Sequence, residues 1–259
     1  MGKTFFQVYS YILHCLNRKD EHSLHSPFLF DFYVKVVKNK ALFKVELIEK
    51  YRSSLLQNKS VIEIEELGAL SKNHSVLQIK NKASTSISSY LQSYFMGALV
   101  NYFKPTVLLE IGTSFGVSTA YLSNYSHNSK IVTLEGVKSI ASVAQDFFKR
   151  VPFNNIELIL GDFEQTLLPA IEKLPSLDFI FFDGNHQYLP TIQYFERCLK
   201  HKNENSVFVF HDIYWSYEMK RAWKTIMANA EVTLSIDLFY FGIVFFRNNQ
   251  PKQHFILKF

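Results

Sequence analysis

The spacing of apolar residues changes near residue 104. Before it, the chain reads as mainly helical: Phe5, Phe6, Val8, Tyr9, Ile12, Leu13 and Leu16 fall at helical spacing, and HSPFLFDFYVKVV opens with Ser26 as a cap and Pro27 in the first turn. Further helical stretches run from Ala41 to Gln57 and from Ala83 to Phe103, closed by Pro105, while residues 60–75 follow neither period. After Thr106, short β-branched or aromatic runs alternate with helix-length amphipathic segments, the pattern of a mainly parallel sheet with helices on both faces. Seven strands are expected, at 107–112, 130–136, 156–162, 178–184, 206–212, 231–237 and 238–246. The last two abut with no room for a crossover helix, so they form an antiparallel hairpin.

Composition narrows the class. The chain has 259 residues, 47% of them hydrophobic, enough for one large core or a domain with an appendage. No run approaches the roughly 18 apolar residues of a membrane helix. Gln7, Ser10 and His14 break up the N-terminal stretch and no small-residue cleavage site follows it, which argues for a cytosolic amphipathic helix rather than a signal peptide. Cys15 and Cys198 fit neither a zinc pattern nor a disulfide framework, so a reducing cytoplasm is the expected compartment. The net charge of +5 is too small to identify a nucleic-acid binder, and no dense basic stripe accompanies it.

The chemistry-bearing residues gather at successive strand ends. The first strand runs into Glu110-Ile-Gly112-Thr113-Ser114-Phe-Gly116-Val-Ser118, at the strand-to-helix turn where α/β sheets bind ligands, and two glycines there let a ligand approach the backbone. Ser114 stands where a dinucleotide fingerprint has its second glycine, and no GK[ST] phosphate loop occurs. Glu135 ends the second strand about 20 residues beyond the turn, where a carboxylate accepts hydrogen bonds from ribose hydroxyls. Asp162 ends the third, either against an adenine or as a helix cap; Asp183 ends the fourth in FFDGNHQY, and Asp212 the fifth in VFHD.

On this linked series the chain resembles the class I S-adenosylmethionine-dependent methyltransferases, in particular their small-molecule O-methyltransferase-like branch, over about residues 108–246. The resemblance implies a Rossmann-like seven-stranded sheet ending in a β-hairpin, residues 105–259 as the cofactor-binding domain, and residues 1–104 as a helical lid, acceptor pocket or oligomerisation region. It implies that Gly112 to Gly116 pass under the methionine part of S-adenosylmethionine, with Ser118 holding its carboxylate, Glu135 binding ribose, and Asp162 with Phe163 flanking adenine. Glu110, Thr113, Ser114, Gly136 and Asp183 complete the implied cofactor set.

Methyl transfer from a sulfonium is an in-line displacement, so the protein mainly aligns the acceptor and helps it lose a proton. His186 and His211 lie in the motifs with a titration range near neutrality. Metal-dependent members of the resembled family use acidic and amide groups after the fourth and fifth strands, with a basic side chain three residues past the first carboxylate. Asp183 and Asp212 match two Mg2+ ligand positions and His186 the basic one, whereas Ile213 replaces the amide ligand. His186, Asp183 and Asp212 are therefore the expected catalytic residues, Tyr214, Trp215 and Tyr217 the candidates for an aromatic acceptor pocket, and a small hydroxylated molecule the expected acceptor. A cofactor- or partner-binding module without turnover, and an RNA methyltransferase, are the other readings open to the sequence. The apolar stripe of the first helix suits a homodimer or packing on the sheet domain, the latter being simpler.

Overall fold

A computed structural model describes residues 2–39, 45–65, 74–248 and 250–259. The backbone forms two compact units, one made of Met1–Asn39 with Leu174–Phe259 and the other of Lys40–Lys173.

The first unit begins with α1 (Lys3–Asn17) and α2 (Pro27–Phe32), the latter entered through Ser26 and Pro27 as the sequence suggests. α1 reverses the expected packing. Phe5, Val8, Tyr9, Ile12 and Leu16 are exposed, while Ser10 and His14 are buried. The reason is an anchor absent from the apolar pattern: His14 Nε2 meets Asp237 Oδ1 at 3.2 Å with both side chains 2% exposed.

The second unit comprises α3 (Glu46–Gln57), β1 (Val61–Glu65), β2 (His74–Gln78), α4 (Ile79–Ser86), α5 (Tyr90–Phe103), β3 (Val107–Ile111), α6 (Val117–Tyr125), β4 (Lys130–Glu135), α7 (Lys138–Arg150), β5 (Ile156–Leu160) and α8 (Phe163–Glu172). The start of the helix expected from Ala41 and the middle of the ambiguous stretch lie outside the described residues; the flanks of that stretch pair as the antiparallel β1 and β2. The helix expected over 83–103 is two helices. Ser89 opens a capping box with Gln92, whose Oε1 accepts the Ser89 N–H at 2.9 Å, so the chain restarts a helix there. β3, β4 and β5 are parallel neighbours in that order, and β3 is buried at all five positions, as a strand covered on both faces must be. Ile48 and Leu55 of α3, Ile64 of β1 and Tyr121 of α6 share one core with Phe115 and Phe147, and the Tyr51 ring stacks 3.6 Å from Phe147. At about 1.5–3 kcal/mol per large buried side chain, this core ties the helices before residue 104 to the turn after β3. The change of sequence texture at 104 thus falls inside this unit.

The first unit resumes with β6 (Leu177–Phe182), α9 (Tyr188–Leu199), β7 (Lys202–His211), α10 (Tyr217–Ala228), β8 (Leu234–Asp237), β9 (Phe241–Phe245) and β10 (Gln253–Ile256), its strands ordered β10-β8-β9-β7-β6. β8 and β9 form the expected antiparallel hairpin, and β9 also runs antiparallel to β7. β3 to β9 are the seven expected strands. β10 is an eighth, parallel to β8, and its four residues carry no apolar run that would announce it. The fold is α/β and mostly parallel, and no helix of the described residues is long and apolar enough to cross a membrane.

Candidate active site

The turn after β3 is held from inside. Glu110 is fully buried, and its carboxylate accepts from Ser118 Oγ at 2.7 Å, Thr133 Oγ1 at 2.6 Å and the Thr119 hydroxyl. Glu110 therefore fastens the first turn of α6 to the sheet, and the Ser118 hydrogen is committed to it. The backbone then takes left-handed conformations at Gly112 (φ 104°), Ser114 (φ 49°) and Gly116 (φ 79°). A Cβ on Gly116 would lie 2.5 Å from Phe148 Cζ, so close packing as well as conformation requires glycine there. The N–H groups of Gly112 and Thr113 both donate to Leu134 O at 3.0 Å, and the Thr113 hydroxyl lies 2.6 Å from that of Thr133.

Glu135 sits where β4 ends, 7% exposed. Its Oε2 accepts the Ser114 N–H at 2.8 Å and its Oε1 the Val137 N–H at 2.9 Å. Burial pushes its carboxyl up, against the pull of these N–H groups. With the Gly136 N–H as a third backbone partner, about one of a carboxylate's roughly four acceptor positions is left for a ligand hydroxyl. Beside it, a cavity of about 430 Å³ is lined by Gly136, Val137, Lys138, Ser139, Leu160 and Gly161 among others. At the end of β5, Asp162 caps α8: its Oδ1 accepts the Glu164 N–H at 2.9 Å, with Phe163 half-buried next to it. The structure thus gathers Glu110, Gly112, Thr113, Ser114, Gly116, Ser118, Glu135, Gly136, Asp162 and Phe163 in the second unit.

The remaining sequence candidates lie in the first unit. Asp183 Oδ1 is 2.7 Å from His211 Nδ1 and 3.5 Å from His186 Nε2; His186 Nε2 is 3.9 Å from Asp212 Oδ2, and His211 Nε2 is 3.8 Å from Asp212 Oδ1. Burial alone would raise the Asp183 carboxyl, but the His211 imidazolium and the hydrogen bonds from His186 and His211 hold it well below the usual range. Burial would likewise lower His211, yet Asp183, and then Asp212, push it up to about 9. Asp212 is left-handed (φ 53°), with its N–H on Tyr240 O at 2.7 Å, a conformation costing about 1 kcal/mol or more that marks a constrained position. His211, to which the sequence gave no role beyond its titration range, bonds to Asp183.

The Mg2+ expectation can be tested on this donor set. Among the described residues, the group close enough to share an ion is Asp183, His186 and His211, not Asp183 with Asp212. Mg2+ demands octahedral oxygen ligands. Two imidazoles and one carboxylate, with Ile213 in place of an amide, do not fit it.

A cavity of about 350 Å³ opens beside Asp212, walled by Gln7, Tyr11, Tyr214, Trp215, Phe239 and Tyr240 together with Val8. Its aromatic walls are fixed by Asp237, whose Oδ2 accepts from Tyr214 Oη at 2.8 Å and Trp223 Nε1 at 3.2 Å and whose Oδ1 accepts the Phe239 N–H at 3.0 Å. Tyr214 and Phe239 stack at 5.0 Å, and Gln7 Nε2 donates to Trp215 O at 3.0 Å. Tyr214 and Trp215 thus line a pocket as expected, whereas Tyr217 is 74% exposed and lies outside it. Gln7, Tyr11, Phe239, Asp237 and His14 went unassigned in the sequence, where they read as ordinary helix and strand residues.

A family model described as a methyltransferase domain matches residues 109–213. An uncharacterized protein of Acanthamoeba polyphaga mimivirus is 30% identical over 156 residues, covering 55% of this chain and 69% of the viral protein. Among solved structures, the fold is similar to an O-methyltransferase from Bacillus cereus in complex with S-adenosylhomocysteine, at 22% identity and a TM-score of 0.59, over 81% of this chain and 94% of that one. It is also similar to the O-methyltransferase TomG of Streptomyces achromogenes, involved in tomaymycin synthesis and solved with S-adenosylmethionine, at 18% identity and a TM-score of 0.60, over 83% and 96%. A Podospora anserina methyltransferase bound to S-adenosylhomocysteine matches at 17% identity and a TM-score of 0.61, over 87% and 97%. With a domain match that runs from β3 to the residue after Asp212, a relative matched over two thirds of its length and the same fold throughout, the chain belongs to the methyltransferase-domain family.

Proposed function

We propose that this protein transfers a methyl group from S-adenosylmethionine to a hydroxyl oxygen of a small molecule. The observation that carries the reading is Glu135, a buried strand-end carboxylate that ties the glycine turn to β4 while keeping acceptor capacity for a ribose hydroxyl. The cavity next to it suits an adenine, and Gly112 to Gly116 suit the methionine part. The cofactor-bound O-methyltransferases of the same fold support this ligand.

Displacement at the sulfonium methyl needs an oxygen nucleophile in line with the carbon–sulfur bond. His186 Nε2 faces two carboxylates, Asp183 at 3.5 Å and Asp212 at 3.9 Å, which offset an arriving positive charge. In this reading His186 takes the acceptor O–H proton, the oxygen forms the new bond to carbon, and the electron pair of the broken bond stays on sulfur, giving S-adenosylhomocysteine. Asp183, fixed by His211, positions His186. The 350 Å³ aromatic cavity takes the acceptor, a size that suits a small molecule better than RNA. Residues 105–259 then carry the transfer machinery, and α1 of the helical front end shapes the acceptor pocket. The free thiols of Cys15 and Cys198 suit a reducing, cytoplasmic setting.

Calorimetric titration with S-adenosylhomocysteine tests the reading. Micromolar binding that is lost in Glu135→Ala and kept in His186→Gln is expected, and absence of binding by the unaltered protein overturns it.

A further inference from the structure

Among the described residues nothing covers the apolar face of α1. Phe5, Tyr9, Ile12 and Leu16 stand at i, i+4, i+7 and i+11, one face of a helix, and all are exposed, Leu16 by 76%. Ser10 and His14, which are buried, lie on the opposite face. Residues 4–17 include no Lys, Arg, Asp or Glu, so no charge interrupts the stripe. The charges sit at its two ends: the exposed Lys3 before it, and Arg18 with the exposed Lys19 after it. Lys258, also exposed, joins the second group through its N–H on Lys19 O at 3.1 Å. The acids that follow in the chain are engaged, Asp20 Oδ1 by the His22 N–H at 3.2 Å and Glu21 by Lys38. Two exposed aromatic residues lie against the first turns of α1. Lys3 Nζ is 3.1 Å from the centre of the Trp215 ring, and the Phe6 and Tyr217 rings meet edge to face at 6.4 Å.

An uninterrupted apolar face, Trp and Tyr beside it and cations at its ends are what a helix needs to lie in the interface of a bilayer, with its aromatic rings at headgroup level. A second copy of the chain suits the same face poorly. About a two-fold axis, α1 would meet its twin either with Lys3 on Lys3 or with Lys3 against Arg18 and Lys19, cation on cation in both cases. We infer that α1 docks this protein peripherally on an anionic lipid surface, with Phe5, Tyr9, Ile12 and Leu16 in the bilayer interface and Lys3, Arg18 and Lys19 against acidic headgroups. Val8 and Tyr11 belong to the exposed surface of α1 and also line the aromatic cavity, so the cavity opens at the rim of the docked face. The docking goes beyond methyl transfer and does not depend on what the cavity binds.

The test is co-sedimentation of the purified chain with vesicles of phosphatidylcholine, with and without phosphatidylserine. Vesicles containing phosphatidylserine should carry the protein into the pellet at least tenfold more strongly than phosphatidylcholine alone, and added salt should weaken that binding severalfold. Binding should also shift tryptophan emission to the blue, a signal that comes from Trp215 because Trp223, the other tryptophan, is already buried. Ile12→Gln combined with Leu16→Gln should weaken binding tenfold or more while the melting temperature stays the same, since both side chains are exposed. Arg18→Gln with Lys19→Gln should weaken it severalfold, and Leu168→Gln, which alters an exposed leucine of α8, should not change it. The inference is overturned by absence of binding to phosphatidylserine vesicles, which leaves the face to a protein, by equal binding to both kinds of vesicle, or by binding indifferent to the Ile12 and Leu16 changes. Light scattering without vesicles supplies the remaining outcome: a dimer that those two changes dissociate would give the face to a second copy and overturn the inference as well.

Discussion

Replacing Glu135 with Gln keeps the shape of the side chain and removes its charge, and the structure sets the size of the response. Two backbone N–H groups point at the two carboxylate oxygens, from Ser114 at 2.8 Å and Val137 at 2.9 Å. An amide can turn its oxygen to only one of them. The other then faces an NH2 group, and a buried donor without an acceptor costs about 1–3 kcal/mol. Burial opposes ionisation of Glu135, so losing the charge returns part of this, and the net change sits toward the lower figure. At about 2–4 °C per kcal/mol for a chain of this size, a net loss of about 1 kcal/mol lowers the melting temperature by roughly 2–4 °C. The ligand effect is separate. Hydrogen bonds to a charged group contribute about 1.5–3 kcal/mol, so S-adenosylhomocysteine should bind about 10- to 150-fold more weakly. Calorimetry gives the affinity and thermal melting the stability. An affinity within twofold of the unaltered protein would refute the assignment of Glu135 to the cofactor.

Gly116→Ala combines a left-handed φ of 79° with a Cβ 2.5 Å from Phe148 Cζ. Strain of about 1–2 kcal/mol and overpacking of about 1–3 kcal/mol predict a loss of about 2–5 kcal/mol, and an unchanged urea midpoint would contradict the geometry. The pair of Asp183 and His211 predicts a pH dependence with a defined sign. His211 rises from 6.5 to about 9 on folding, so its contribution is complete below pH 6.5 and disappears as pH rises through 9, on the order of 3 kcal/mol in all. Asp183 is depressed, so its share is present above about pH 4 and lost on acidification through its lowered folded value. Urea midpoints measured from pH 6 to 10 should decline in the unaltered protein and flatten in Asp183→Asn; equal slopes in both would count against the pair. Asp237→Asn sets an NH2 group against the donors from Tyr214, Trp223 or Phe239 in a residue 1% exposed. A loss of about 1–3 kcal/mol is expected, read from the thermal melt, and a melt unchanged from the unaltered protein would argue against Asp237 as the hub.

The strands were legible because buried parallel strands are written as unbroken apolar runs, as in VLLEI and LDFIFF. β10, QHFI, was not, because an edge strand half in solvent needs no such run. Leu238 to Tyr240 look like strand by composition but form the β8–β9 turn, with Phe239 left-handed at φ 69°. In the site, residue types and strand-end positions were readable from spacing. What spacing cannot encode is which partner a side chain turns toward: Glu110 is occupied by three hydroxyls, and His211 turns to Asp183 rather than to its neighbour. His14 shows the limit most plainly, since a histidine inside an apolar helical stripe carries no sign that Asp237, 223 residues away, awaits it.

The discontinuity of the first unit has a consequence for synthesis. Residues 40–173 form one continuous unit, free to fold as they leave the ribosome. Lys19, by contrast, pairs with the far end of the chain, its N–H on Ile256 O at 2.8 Å and its O accepting the Lys258 N–H at 3.1 Å. At about 5–20 residues per second, Lys19 waits for roughly 12–48 seconds before its partners in and beyond β10 exist. The aromatic cavity that α1 completes takes its last wall from Tyr240, so it too forms only when nearly all of this sequence has been made, and until then the helix lacks the surface it packs on. A chaperone that holds nascent apolar segments should be found on residues 3–17, and proteolysis of stalled chains should cut there long after residues 40–173 resist.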